Sequence, residues 1–427
     1  MIRLPGLALL LLAGTASAQK NLDKIINEKE VARIEKVLSA DELMGRRPFT
    51  PGIEKAADFI AAEFKAAGLQ TFSGSSFRQT FSIVRPKQIS ASATVNAIQL
   101  TPQQFVVVTS QPDLKVDAAS NYNKIRIAAG ANLFSEARRL AGAGKNMLIL
   151  VDTSFSKNFG SLAGLKRNLI KSEYNVVFIL TQEDPVTYLI EAKHEIPEPQ
   201  SLSNVVGILP GKSKKDEYVI FSGHYDHLGI GKPVDGDSIY NGANDDAAGT
   251  TAVMMLAKYF SSIKDNERTL VFAAFTAEES GGFGATYFSR QFDPAKVMAM
   301  FNIEMIGTES KWGKNSAFIT GYEKTDMGTI LEKNLEGTGF KFYPDPYIEL
   351  DLFYRSDNAT LARLGVPAHT ISTSKMDAEP NYHKPSDEFE TLDMKNMAEI
   401  IRAIALSSRT IVSGKETPSR VNTSSLK

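Results

Sequence analysis

Residues Asn241 to Gly249 read Asn-Gly-Ala-Asn-Asp-Asp-Ala-Ala-Gly. Two adjacent carboxylates, Asp245 and Asp246, sit among small residues, which let backbone and ligand approach closely. An apolar run follows at once, Thr250 to Phe260, with Val253, Leu256, Ala257 and Phe260 at helical spacing. A carboxylate fixed just ahead of a helix can reach into a cleft and share its two oxygens between two cations. The plainer reading is a helix cap, for which Asp is a favoured residue. The stretch by itself favours the cap; the chain around it favours the ligand.

From Asn204 onward strand and helix patterns alternate. Tyr218 to Phe221, Leu270 to Phe275, Val297 to Ile303, Ala317 to Thr320 and Val366 to Ile371 are apolar runs of buried-strand length. A long helix is expected over about Met394 to Val412, and the polar tail after Ser413 reads as loose. This order predicts an α/β fold, a central mixed, mostly parallel sheet with helices on both faces. Ligands of such sheets bind outside the carboxyl ends of the strands.

The chemistry-bearing residues fall at those ends. The first strand runs into Ser222-Gly223-His224-Tyr225-Asp226-His227. A period of two puts His224 and Asp226 on one face, so His224 can bind a metal while Asp226 orients it. Taken alone, a surface hydrogen-bonded pair is the commoner outcome. The next strand runs into Glu278 and Glu279, two acids that are costly to hold together without a cation or proton between them. One can bind metal while the other faces water; an ordinary acidic helix start is the alternative. Glu304 is a lone acid in the apolar run Asn302-Ile303-Glu304-Met305-Ile306-Gly307, where a salt bridge is the plain alternative to a ligand. His383 lies in the polar loop Asn381-Tyr382-His383-Lys384-Pro385-Ser386-Asp387. Of the five His, His194 lies in a presumed insert and His369 inside a strand, as a core histidine; the other three are at strand ends or in the late loop.

Two His and three carboxylates, one able to bridge, suffice for two zinc ions about 3.5–4 Å apart. One ion would take His224, Asp245 and Glu304, and the other Asp245, Glu279 and His383. Each then has three protein ligands and an open position, as a catalytic zinc requires.

The chain of 427 residues is 43% hydrophobic and 23% charged, with net charge -1. That is ample for a large core, and no basic field recommends nucleic acid or an anionic membrane as partner. With no Cys there is no disulfide, thiolate site or lipid-modified Cys, so any metal site needs His and carboxylates. Residues 1–18 read as a secretory signal: Arg3, the apolar Leu7 to Ala13, then Ala16-Ser17-Ala18 for cleavage after Ala18. The run is too short to span a membrane, so a secreted or periplasmic protein is expected. Residues 19–85 carry two amphipathic helices, over Leu22 to Leu38 and Ile53 to Ala67, split by a turn-like break at Asp41 to Arg47. Residues 86–200 have a different texture and read as an inserted domain. Residues 201–412 form the core, and 413–427 the tail.

The order His-x-Asp, Asn-Asp-Asp-Ala-Ala-Gly, Glu-Glu, Asn-x-Glu-Met-Ile-Gly and Tyr-His-x-Pro-x-Asp resembles the secreted co-catalytic di-zinc aminopeptidase family. Its wider superfamily includes glutamate carboxypeptidases, glutaminyl cyclases and an inactive receptor. The resemblance covers Asn204 to about Val412, and more loosely the N-terminal helices through Gly45-Arg46. It implies the zinc exopeptidase fold, peptide substrates and two Zn2+ held by His224, Asp245, Glu279, Glu304 and His383. It further implies Glu278 as general base, Asp226 as orienter of His224, and a substrate pocket near Tyr354, Arg355 and Asp357, with Tyr354 polarising the scissile carbonyl. Glu304 stands where the family's aminopeptidases usually have Asp, and Asn358 where relatives often have His. The insert resembles a protease-associated domain, a smaller α/β unit, through Glu136-Ala137-Arg138-Arg139-Leu140-Ala141-Gly142-Ala143. The expected activity is hydrolysis of N-terminal residues from peptides. A carboxypeptidase, a glutaminyl cyclase and a non-catalytic binding protein are the alternatives, and the oligomeric state is open.

Overall fold

The computed structural model describes residues 22–426; the expected secretory segment lies outside them. The chain forms two compact units, one from the described residues up to Gln79 with Ser203–Ser424, the other from Thr80–Leu202 with the last residues from Ser425.

In the larger unit, α1 (Glu28–Leu38) and α2 (Pro51–Ala66) precede β1 (Gln200–Leu209) and β2 (Lys214–His224). Then come α3 (Ala248–Ile263), β3 (Arg268–Phe275), α4 (Phe283–Ser289) and β4 (Val297–Ile303). After these follow β5 (Ser316–Ile319), α5 (Met327–Asn334), β6 (Lys341–Pro344), α6 (Asn358–Ala362), β7 (Ala368–Ser372) and α7 (Met394–Ser407). These strands lie in the order β6-β5-β7-β4-β2-β3-β1. The centre is parallel: β2 pairs in parallel with β3 and β4, and β4 with β7. Antiparallel pairs, β1 with β3 and β5 with β7, flank it.

Every residue of β3 is buried, because a parallel strand is covered on both faces and so reads as a continuous apolar run. Alternate side chains divide between two layers. Phe221, Phe272 and Phe301 stack with centroids 5.0 to 5.6 Å apart, and Phe260 of α3 closes over Phe221 at 5.5 Å. On the other face Phe275 meets Phe288 of α4. This rigid centre fixes the ends of β2, β3 and β4, from which the chemistry projects.

Two expectations change. The helix from Met394 stops at Ser407, and a separate turn, Arg409–Val412, follows. The tail is not loose: Arg420 donates to the carbonyls of Val297 and Pro294, Ser419 exchanges two bonds with Asp326, and Val421 is buried. The polar side chains that made it look free are what anchor it.

The smaller unit contains two four-stranded sheets. One orders Phe105–Val108, Val176–Leu180, Met147–Val151 and Asn123–Ile127. Its alternating side chains serve two cores: Val106 and Val108 join Leu133, Ala137 and Leu140 of the helix Leu133–Gly142, while Phe105 and Val107 join Tyr188 and Ile190 of the second sheet.

Candidate metal centre

The stretch Asn241 to Gly249 forms a buried bend ahead of α3, and its two carboxylates have divided the work. Asp246 is the structural one. Its Oδ1 accepts the N–H of Gly249 (2.9 Å) and Met305 (3.1 Å), and its Oδ2 accepts that of His224 (3.1 Å). One side chain thus ties the helix start to the ends of β2 and β4. Asp246 thus bonds a helix-start N–H, as a capping Asp does, although the N-cap residue is Ala247 and neither Asp occupies that position. Asp245 is itself held by its backbone: Asp387 accepts the N–H of Asn244 and of Asp245, at 2.8 and 3.0 Å. Arg46, wholly buried, donates to the carbonyls of Tyr225, Leu38, Asn241 and Gly242, so one guanidinium braces both loops.

Gly249 is required by the closeness of this packing. A Cβ there would sit 2.0 Å from the Ile303 carbonyl oxygen and 2.5 Å from both Asp246 carboxylate oxygens. Gly249→Ala is therefore expected to destabilise the chain by about 1–3 kcal/mol or more, as overpacking does, and to loosen metal retention. Chemical denaturation and metal analysis check both.

The predicted ligands converge. Asp245 Oδ1 lies 3.3 Å from His224 Nε2, and its Oδ2 lies 3.2 Å from His383 Nε2, which is also 3.4 Å from Glu279 Oε2. Donor atoms of His224, Asp245 and Glu304 all lie within 4.8 Å of one another. Each oxygen of one aspartate therefore faces a different imidazole.

Several of these atoms have no hydrogen-bond partner although they are buried: His224 Nε2, Glu279 Oε1 and Glu304 Oε2. Buried polar atoms are normally satisfied, and orphaned imidazole and carboxylate atoms in such donor clusters suit a cation. The donor set, imidazole with carboxylate, suits zinc.

The carboxylates around the two imidazoles favour their protonated forms. Burial would lower the His383 imidazole, yet Asp245 and Glu279 push it up to about 10. Burial likewise works against His224, and its acidic neighbours, Asp245 first, hold it well above the usual value. Burial would raise Glu279, but His227 and His383 bring it down to about 2. Only a neutral imidazole can ligate a metal. Metal uptake near pH 7 is thus expected to release protons, and affinity to rise with pH as His383 loses its proton more easily. Calorimetry in buffers of different ionisation enthalpy measures this.

Around the ligands, the remaining predicted residues are distributed unevenly. His224 Nδ1 is 3.1 Å from the main-chain oxygen of Asp226 and 3.8 Å from its carboxylate. The Asp226 carboxylate instead accepts the N–H of Glu278 at 3.0 Å. Glu278 is pushed well above the usual carboxyl range, chiefly by burial. Asp357 is buried with neither oxygen hydrogen-bonded, and burial first, then Glu304 and Asp226, raise it to about 8. Arg355 is exposed and, with Glu304, Met305, Phe318, Leu352, Met376 and Tyr382, lines a pocket. Tyr354 is not among those lining residues. Its ring packs edge-on against Phe353 with Lys324 and Arg363 over it.

Two residues of the centre were not assigned from sequence. Tyr382 lines the pocket and stacks on His383, with ring centroids 3.9 Å apart; its place next to an expected ligand in the chain was the available signal. His227, wholly buried, puts Nδ1 2.9 Å from Glu279 Oε1. His369 is a core histidine as expected, with Nδ1 2.9 Å from the Thr320 oxygen and Nε2 2.8 Å from the Thr325 hydroxyl.

Comparisons with known proteins find similar sequences and similar folds. Aminopeptidase YwaD of Bacillus subtilis is 22% identical over 308 residues, 67% of this chain and 61% of that protein. A probable zinc metalloprotease of Pyrenophora teres is 36% identical over 111 residues, 26% of this chain and 23% of that relative. Among solved structures, a zinc aminopeptidase from Bacillus subtilis superposes with a TM-score of 0.54 at 16% identity, covering 93% of this chain and 98% of that one. That likeness establishes the fold. The segment that carries the expected metal ligands discussed above, residues 204–407, matches the model of peptidase family M28.

Proposed function

We propose that this protein is a di-zinc exopeptidase that removes N-terminal residues from peptides. The observation that carries the reading is the division of Asp245, one oxygen toward His224 and the other toward His383. His224, Asp245 and Glu304 would hold one zinc, and Asp245, Glu279 and His383 the other. Bound there, the ions would supply Lewis acidity to the scissile carbonyl and to water.

The chain's own groups do the rest. Glu278, fixed through its N–H by Asp226, takes the proton of the attacking water and returns it to the leaving amine. Burial, reinforced by Asp245, Glu304 and Glu279, raises the Tyr382 phenol, so it stays protonated and can donate to the developing oxyanion. Met305, Phe318, Leu352 and Met376 beside Glu304 offer an apolar seat for the residue being removed. Among the described residues no helix is long and apolar enough to cross a membrane; with the secretory segment read at residues 1–18, export to the periplasm or the medium is part of the proposal.

Arg355 in the same pocket favours a second reading, a carboxypeptidase that binds a substrate carboxylate. Hydrolysis of aminoacyl anilides and C-blocked peptides, lost with chelator and restored by zinc, supports the first reading. Cleavage confined to N-blocked peptides with a free C-terminus overturns it in favour of the second.

A further inference from the structure

We propose that His227 is a further protein donor to the metal pair, serving the position surrounded by Asp245, Glu279 and His383. The proposal rests on the di-zinc reading above. Its ring is wholly buried, and neither ring nitrogen has a hydrogen-bond partner. An imidazole so placed loses its hydration on both sides with no return, unless something else fills its lone pair.

The geometry says what that is. Nδ1 lies 2.9 Å from Glu279 Oε1 and 4.0 Å from Asp245 Oδ2. Nδ1 and Oε1 are within hydrogen-bond distance, yet each is left without a hydrogen-bond partner. Two lone-pair atoms at that distance suit a shared cation. Donor atoms on a tetrahedral zinc with bonds near 2.1 Å stand about 3.4 Å apart, between the two distances observed. His227, Asp245 and Glu279 also bring donor atoms within 4.8 Å of one another, as His224, Asp245 and Glu304 do.

The ring is built into place. The His227 N–H donates to the Arg46 carbonyl at 3.3 Å. Its ring lies against Gly242, where a Cβ would come within 2.4 Å of it. It stands edge-on to His383, with centroids 5.8 Å apart and planes at 68°. The two positions are then unequal: four protein donors surround one, and three the other. The richer one fills first and releases its ion last.

The test counts imidazoles. The full chain, with isotope-labelled histidine, is loaded with an NMR-active cadmium isotope, and metal-coupled ring nitrogens are counted. Two ions and three coupled imidazoles (His224, His227 and His383) are expected. Two ions with two coupled imidazoles overturn the proposal and leave the two-ion reading intact. Fewer than two ions overturns that reading and this one with it. His227→Gln separates ligation from mere positioning, because an amide keeps a neutral polar side chain beside Glu279 but ligates poorly. It is expected to weaken one of the two cadmium sites by more than about 100-fold, beyond the loss typical of an outer hydrogen-bond partner, with the other unchanged. Wild-type affinity at both sites in that variant overturns the proposal.

Discussion

Replacing Asp245 by Asn is expected to leave a folded chain that cannot retain two metal ions and has no measurable peptidase activity. The substitution keeps the shape and removes one anionic oxygen. The backbone anchors remain, since Asp387 still accepts the N–H of residues 244 and 245, and Asp246 still ties α3 to β2 and β4. What is lost is the donor that both positions share, because each oxygen of Asp245 faces a different imidazole. The amide oxygen can serve only one ion, and without charge. The loss at each position should exceed the ~10–100-fold that changes outside the ligand shell cost. Metal analysis after dialysis should find at most one ion per chain, and circular dichroism should find the fold unchanged.

Glu278→Gln is expected to separate chemistry from metal binding. The side chain is not among the donors, and its backbone is fixed by Asp226. A glutamine keeps the volume and loses the basic oxygen. General acid–base catalysis contributes about 10²–10⁴-fold, so kcat should fall by that factor while both ions remain. A variant that loses its metal as well as its rate would assign Glu278 to the ligand shell instead. A variant with near wild-type kcat would remove it from proton transfer altogether.

The fold was legible because its strands are buried on both faces and read as uninterrupted apolar runs, and because the residues of unusual character fall where those runs stop. His224 is the last residue of β2, Glu304 follows β4 directly, and Glu279 comes four residues after the end of β3. His227 escaped because strand periodicity was carried past its limit. β2 ends at His224, and beyond it the chain bends, so a period of two no longer says which way a side chain points. The same bend explains Asp226, whose main-chain oxygen rather than its carboxylate meets His224. Tyr354 drew attention through its neighbour Arg355, whereas Tyr382, adjacent in sequence to His383, is the phenol that lines the pocket. The roles of Arg46 and Asp387 depend on contacts between segments more than a hundred residues apart, and local patterning carries no trace of them. The anchored tail is another such case, tied by Arg420 to Val297 and Pro294.

The most direct test of the shared aspartate is anomalous diffraction at the zinc edge from crystals of the zinc-loaded chain. Two peaks about 3.5–4 Å apart, each beside a different oxygen of Asp245, are predicted. A single peak, or two peaks of which one does not touch Asp245, would contradict the account.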